Sequence, residues 1–138
     1  MSTNLTSLQV NIITPDGTSY QQDDVELVVG RALDGEFGIM KGHEPMVAAL
    51  QIWPVRVKTA AGEDMVAVFG GFLEVKDNVV TIISQNAETA DYIDIERAMR
   101  ARERALARIE KPTPDIDLLR AERALQRALI RLQVGNRD

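Results

Sequence analysis

Arginine recurs along the last third of the chain at spacings that gather guanidinium groups. Arg97, Arg100, Arg104 and Arg108 stand three, four and four residues apart, and Arg120, Arg123, Arg127 and Arg131 repeat those steps. Side chains three and four residues apart are neighbours on an α-helix. Residues 93–109 (IDIERAMRARERALARI) and 115–132 (DIDLLRAERALQRALIRL) both carry the amphipathic helical period, with a Pro-containing turn at 111–114 between them. Folded antiparallel about that turn, the helices bring Arg97 level with Arg127 and leave Arg131 one turn beyond. Guanidinium groups facing one gap repel each other unless an anion lies between them, and their planar fork matches phosphate and carboxylate. The pattern therefore fits a bound polyanion or an acidic partner. On spacing alone the plainer account is favoured: a solvated face with pairs such as Glu96–Arg100, each worth ~0.2–0.5 kcal/mol.

The apolar stripe that must hold these helices is thin. Ile95, Met99 with Ala98, Leu106 with Ala105, and Ile109 are expected to face Leu118, Ala121, Leu125, Ala128 and Leu132. Alanine permits close approach but buries little area, so the seam is weak at roughly 25 cal/mol per Å². Asp91 is expected to cap the first helix, with Asp94 in its first turn. Thr113-Pro114 is expected to open the second, and Gly135 to end it.

The preceding residues read as short strands. LQVNIIT (8–14) alternates and stops at Pro15-Asp16-Gly17, a turn triplet. VELVV (25–29), WPVRVKT (53–59), MVAVFGGFLEV (65–75) and VVTIIS (79–84) follow, separated by turn residues. Pro54 points to an edge or to the first residues of its strand, and Gly70-Gly71 to a bulge or a close sheet contact. Strands at this spacing predict an all-β sandwich or barrel ahead of the helices.

Composition narrows the function. A formal net charge of −5 argues against a nucleic-acid binder, and 4% aromatic content is too low for a base-stacking surface. With no cysteine there is no thiol chemistry or disulfide framework, which fits a cytosolic setting. No apolar run approaches the ~20 residues of a membrane span. The opening MSTNLTSLQV lacks the basic and apolar regions of a signal peptide. No G-x-x-x-x-G-K-[ST] phosphate loop is present, so nucleotide hydrolysis is not expected.

Three segments together resemble the epsilon subunit of F-type ATP synthases: GEFGIMKGHEPMVAAL (35–50), FGGFLEV (69–75) and IDIERA (93–98). The last is similar to the family's DxxRA segment, and the resemblance spans residues 8–134. It implies an α+β chain: an N-terminal β-sandwich of about ten strands over residues 1–88, then a C-terminal antiparallel two-helix hairpin over 89–138. It implies a non-catalytic rotor-stalk subunit that couples proton flow to ATP synthesis and restrains hydrolysis through the hairpin. Its partners would be the gamma subunit, the c-ring and, with the hairpin extended, the alpha and beta subunits. It would be a monomer when isolated, and peripheral at the cytoplasmic face of the bacterial plasma membrane through the complex alone. No cofactor or metal is required.

Some bacterial members bind ATP on the folded hairpin as a regulatory ligand. The matching positions here are Glu88, Ile93, Asp94, Arg97, Arg104, Arg127 and Arg131. With all seven present, the resemblance reverses the preference for a merely solvated arginine face. The departures are Tyr92 beside the motif and two prolines in the hairpin turn. A free-standing ATP-sensing module outside any synthase is the alternative. His43, the one histidine, could with Glu36 and Glu44 be imagined as an acid–base site, but one histidine on a Gly-rich loop is weak evidence for catalysis. The resemblance instead puts the Glu36–His43 loop at the sandwich end that meets the c-ring and gamma. Trp53, Phe69 and Phe72 read as sandwich core or gamma-contact residues.

Overall fold

The computed structural model describes residues 7–136. Seven strands, β1 (Leu8–Thr14), β2 (Gly17–Ala32), β3 (Gly35–Ile39), β4 (Met46–Thr59), β5 (Gly62–Lys76), β6 (Val79–Ile83) and β7 (Ala87–Thr89), precede a 3-10 turn at Ala90–Tyr92. Two helices follow, α1 (Ile95–Glu110) and α2 (Leu118–Gly135). The strands run β1-β6-β5-β4-β2-β3, β7 pairs with β5, and a β1–β2 pairing joins the sheet back on itself. The long strands change neighbours midway. β2 pairs with β1 up to Val25 and with β3 and β4 beyond it, and β5 leaves β7 after Val68 to join β6 at Phe72. Counting the halves of β2, β4 and β5 separately restores the expected ten.

The alternation read in 8–14 buries Leu8, Val10 and Ile12 completely, and they meet Val28, Val57, Leu73, Val80 and Ile82 in an aliphatic core. Trp53 and Phe69 are only half-buried and Phe72 is 59% exposed, so none of these three lies in the core, while Tyr20 and Phe37 pack against it. Pro54 lies mid-strand and opposite Ala67, where the pairing of β4 with β2 has already ended at Arg56. Its missing N–H therefore leaves no ladder bond unmade.

Gly70 and Gly71 sit where β5 exchanges partners, at φ +81° and +112°. There is no register shift: Val68 faces Ala87 and Phe72 faces Ile83. The pair is the close-contact case, because a Cβ at Gly71 would overlap the Ile83 carbonyl. Gly71→Ala should therefore lower stability by at least ~2 kcal/mol, combining backbone strain with overlap. Gly17→Ala, at φ +116° with open space around it, should cost less. Thermal unfolding of both variants reads the difference, and equal costs would mean the overlap is relieved.

The hairpin docks through α2. Ile130 and Val134 bury against Ala67, with Ile52, Met65, Phe69 and Ile93 around them, and Gln126 Nε2 donates to the Ile52 carbonyl at 3.0 Å. The inter-helix seam is alanine, as expected: Ala98, Ala105, Ala121 and Ala128 are buried, while Met99, Leu106 and Leu118 remain 37–44% exposed. The caps differ from the sequence reading. Asp94, not Asp91, caps α1 by accepting from the Arg97 amide at 3.1 Å, because Asp91 is taken into the 3-10 turn. Asp117, not Thr113, caps α2 through the Arg120 amide at 3.0 Å. The Thr113 hydroxyl is spent on Asp115 and its carbonyl on the Ile116 amide. Gly135 is the last helical residue and has no left-handed φ. Its role is packing, since a Cβ there would overlap Ile95 and press on Ile93 at 3.0 Å.

Candidate functional site

The site grows from the end of the sheet. Asn86, just before β7, donates its Nδ2 to Oε2 of Glu88 in that strand at 2.9 Å. Arg131 of α2 reaches back across the domain junction and grips the same carboxylate with two bonds, Nε to Oε1 at 2.9 Å and Nη2 to Oε2 at 3.0 Å. Its guanidinium lies 4.5 Å over the Phe69 ring, so a cation–π contact fixes one face while Glu88 fixes the edge. Partial burial pushes the Glu88 carboxyl up, but the bonds from Arg131 and Asn86 and the charges of Arg131 and Arg97 outweigh it and hold the group below its ordinary 4.5.

Beside this pair opens a cavity of about 310 Å³. Arg97 and Arg104 of α1 project into it, one seven residues beyond the other, with Arg131 and Glu88 on the facing wall and Tyr92 and Asp94 at the end. Ala98 and Ala101 line it with methyl groups that leave the space open. Arg131 is ion-paired with Glu88, and Arg56 with Glu36 at 3.9 Å. The guanidiniums of Arg97 and Arg104 make no close ion pair, although the Arg97 charge acts on the Glu88 carboxylate. Two free forks and a third held in place, in one partly enclosed space, can take a polyanion's oxygens.

Five of the seven expected ligand-binding positions therefore line one cavity: Glu88, Asp94, Arg97, Arg104 and Arg131. Two do not. Ile93 packs against Gly135 and the docking seam instead. Arg127, expected level with Arg97, lines a second cavity with Arg108 and Arg120. The hairpin register causes this: Ile95 meets Gly135, which puts Arg131, not Arg127, across from Arg97. Asp94 enters with its carboxylate already engaged as the cap of α1. Asn86, Phe69, Tyr92 and Ala101 were not read as site residues from sequence. Asn86 had a signal only in standing two residues before Glu88; Phe69 had none, because its contact with Arg131 is made only by folding.

Glu36 and His43 do not share a loop. Residues 35–39 form β3, and Glu36 lies opposite Arg31 and 3.9 Å from Arg56. His43 follows the strand in a turn where Gly42 N donates to Asn78 Oδ1 at 2.7 Å. The GEFGI segment pairs along the edge of β2, which turns the expected loop into a strand and separates the two residues. Among the described residues no group of three or more His, Asp or Glu side chains could hold a metal ion, and no helix is long and apolar enough to cross a membrane.

A second consequence of the Glu88 pairing is testable by pH. A carboxylate held below its ordinary value contributes stability above that value and loses it as pH falls through the lowered one. Docking of α2 should therefore weaken as pH falls from the ordinary 4.5 through the lowered value, and Glu88→Gln should remove that acid sensitivity. The readout is hydrogen exchange of the α2 amides against pH; identical profiles for the two proteins would show that the pair does not hold the helix.

The two halves match two family models. Residues 7–90 match the ATP synthase delta/epsilon chain β-sandwich domain, and residues 91–136 match the delta/epsilon long α-helix domain. The ATP synthase epsilon chain of Bacillus pumilus is 51% identical over 106 residues, covering 77% of this chain and 80% of its own. That of Priestia megaterium is 50% identical over 109 residues, covering 79% and 81%. A chain in the Euglena gracilis mitochondrial ATP synthase structure with OSCP, F1 and c-ring superposes with a TM-score of 0.79 at 27% identity, covering 96% of this chain and 83% of that one. The chain belongs to the delta/epsilon family of ATP synthase subunits. Within it, the chain is of the epsilon type, a non-catalytic subunit of the complex.

Proposed function

We propose that this subunit sits in the rotor stalk and carries an ATP-sensing hairpin that restrains hydrolysis when extended and is released when folded. Its sandwich binds the gamma subunit and the c-ring, and its extended hairpin reaches the alpha and beta subunits. The chain lies at the cytoplasmic face of the membrane through the complex. Family membership supports the stalk assignment over a free-standing sensor. The observation that carries the ATP reading is the cavity in which unpaired Arg97 and Arg104 face the Glu88–Arg131 pair. The phosphates take the arginines, and donors on the base or ribose take the lone pairs that Glu88 and Asp94 keep beside the bonds from Arg131, Asn86 and the Arg97 amide. Arg127 joins only if the hairpin tightens on the ligand.

The isolated chain should bind ATP at or below millimolar concentration and leave it intact, since nothing in the sequence supplies a phosphate loop. Calorimetry without heat at millimolar ATP would defeat the site, and phosphate release over hours would defeat the sensor role.

A further inference from the structure

We propose that Tyr92 is a base-stacking platform for this cavity, making it a site for nucleotides in preference to inorganic polyphosphates. The inference rests on the ATP reading above and adds a residue to it. Tyr92 is 83% exposed, yet it is the one aromatic side chain lining the arginine cavity. The other rings are occupied: Tyr20 donates to Asp64 at 2.7 Å, Trp53 and Phe69 lie under Arg31 and Arg131, and Phe37 packs on the core. Phe72 is exposed on the sheet away from this site. No hydrogen bond, ion pair or ring contact engages the Tyr92 side chain.

Its backbone, by contrast, is fixed. Tyr92 ends the 3-10 turn, which the Ile93 amide closes onto the Ala90 carbonyl at 3.2 Å. The turn sets the ring between Glu88 on β7 and the Asp94 cap of α1. A phenol cannot neutralise phosphate, so the arginines alone account for anion binding and leave the ring without a use. A flat heterocycle gives it one, since stacking on an aromatic face is available to every base. Stacking alone would not choose among bases, so GTP should depend on the ring as ATP does.

The test compares the wild type with Tyr92→Ala and Tyr92→Phe, titrating the full chain with ATP, GTP and sodium tripolyphosphate by calorimetry. Tyr92→Ala should weaken both nucleotides about tenfold, as loss of one stacked base does, and leave tripolyphosphate unchanged. Tyr92→Phe should match the wild type. Nucleotide affinity unaffected by Tyr92→Ala would overturn the platform while sparing the ATP site. Equal loss of nucleotide and tripolyphosphate would also overturn it, by showing that the residue only shapes the turn. Failure of the wild type to bind ATP would overturn the ATP reading and this inference together.

Discussion

Replacing Arg97 and Arg104 together with alanine is expected to reduce ATP affinity by two to three orders of magnitude while leaving the fold intact. Each guanidinium lines the cavity without a close ion pair, so each can give the ligand a charge-assisted bond worth roughly 1.5–3 kcal/mol, or tenfold and more. They stand seven residues apart on α1, so their losses should largely add. Neither substitution should harm the helix. Both residues are exposed, surface changes of this kind usually fall within about ±0.5 kcal/mol, and alanine is the better helix former. Arg108→Ala is the control, because Arg108 lines the other cavity. Arg127→Ala decides whether the hairpin moves on binding. An effect as small as that of Arg108→Ala leaves the docked geometry as the binding geometry, and one comparable to Arg97→Ala means that α2 shifts to bring Arg127 in. Equal losses at Arg97, Arg104 and Arg108, titrating away with salt, would show diffuse attraction in place of a site.

What the sequence made legible, and what it hid, follows from the range of the interactions involved. The strand 8–14 and the two helices were readable because alternation and the 3.6-residue period are local. Residues 17–24 and 46–52 were not read as strand, because they are the outer halves of long strands. Polar Gln21 and Asp23 in the first face solvent, and half-buried Gln22 stands opposite Val10 of β1. The segment 35–39 read as a loop because its two glycines mask a strand that exists only through pairing with Val28–Ala32. In the site, residue types were legible and partners were not. The resemblance singled out Arg97, Arg104 and Arg131, which line one cavity, but the hairpin register depends on Gly135 admitting Ile93 and Ile95. The glycine read as a helix stop does end α2, and it is also a packing notch. Shifting the pairing by one helical turn exchanged Arg127 for Arg131 opposite Arg97.

Adding ATP is expected to collapse the hairpin onto the sandwich, turning a mixed population into a single docked one. The reason is linkage: a ligand shifts an equilibrium only by its differential affinity for the two states. The cavity draws on β7, the 3-10 turn, α1 and α2 at once. An undocked hairpin separates Arg131 from Glu88 and from the arginines of α1, so it offers the phosphates fewer partners. Holding the docked form without ligand falls largely to Ile130 and Val134 against Ala67, and two such aliphatic side chains supply only about 3–6 kcal/mol before the cost of ordering the helices. Ligand at a hundred times its dissociation constant adds about 2.7 kcal/mol, comparable to burying one of them. An even mixture becomes about 99:1 under a hundredfold preference. The chain has no cysteine, so Lys58→Cys on β4 and Glu103→Cys on α1, both exposed, give unique dye sites spanning the docking seam. The transfer-efficiency distribution should narrow to its high-efficiency component with ATP and broaden when Arg131→Ala is introduced. If the distribution is unchanged while calorimetry confirms binding, the cavity holds nucleotide without governing the hairpin, and the regulatory role assigned to the arginines fails.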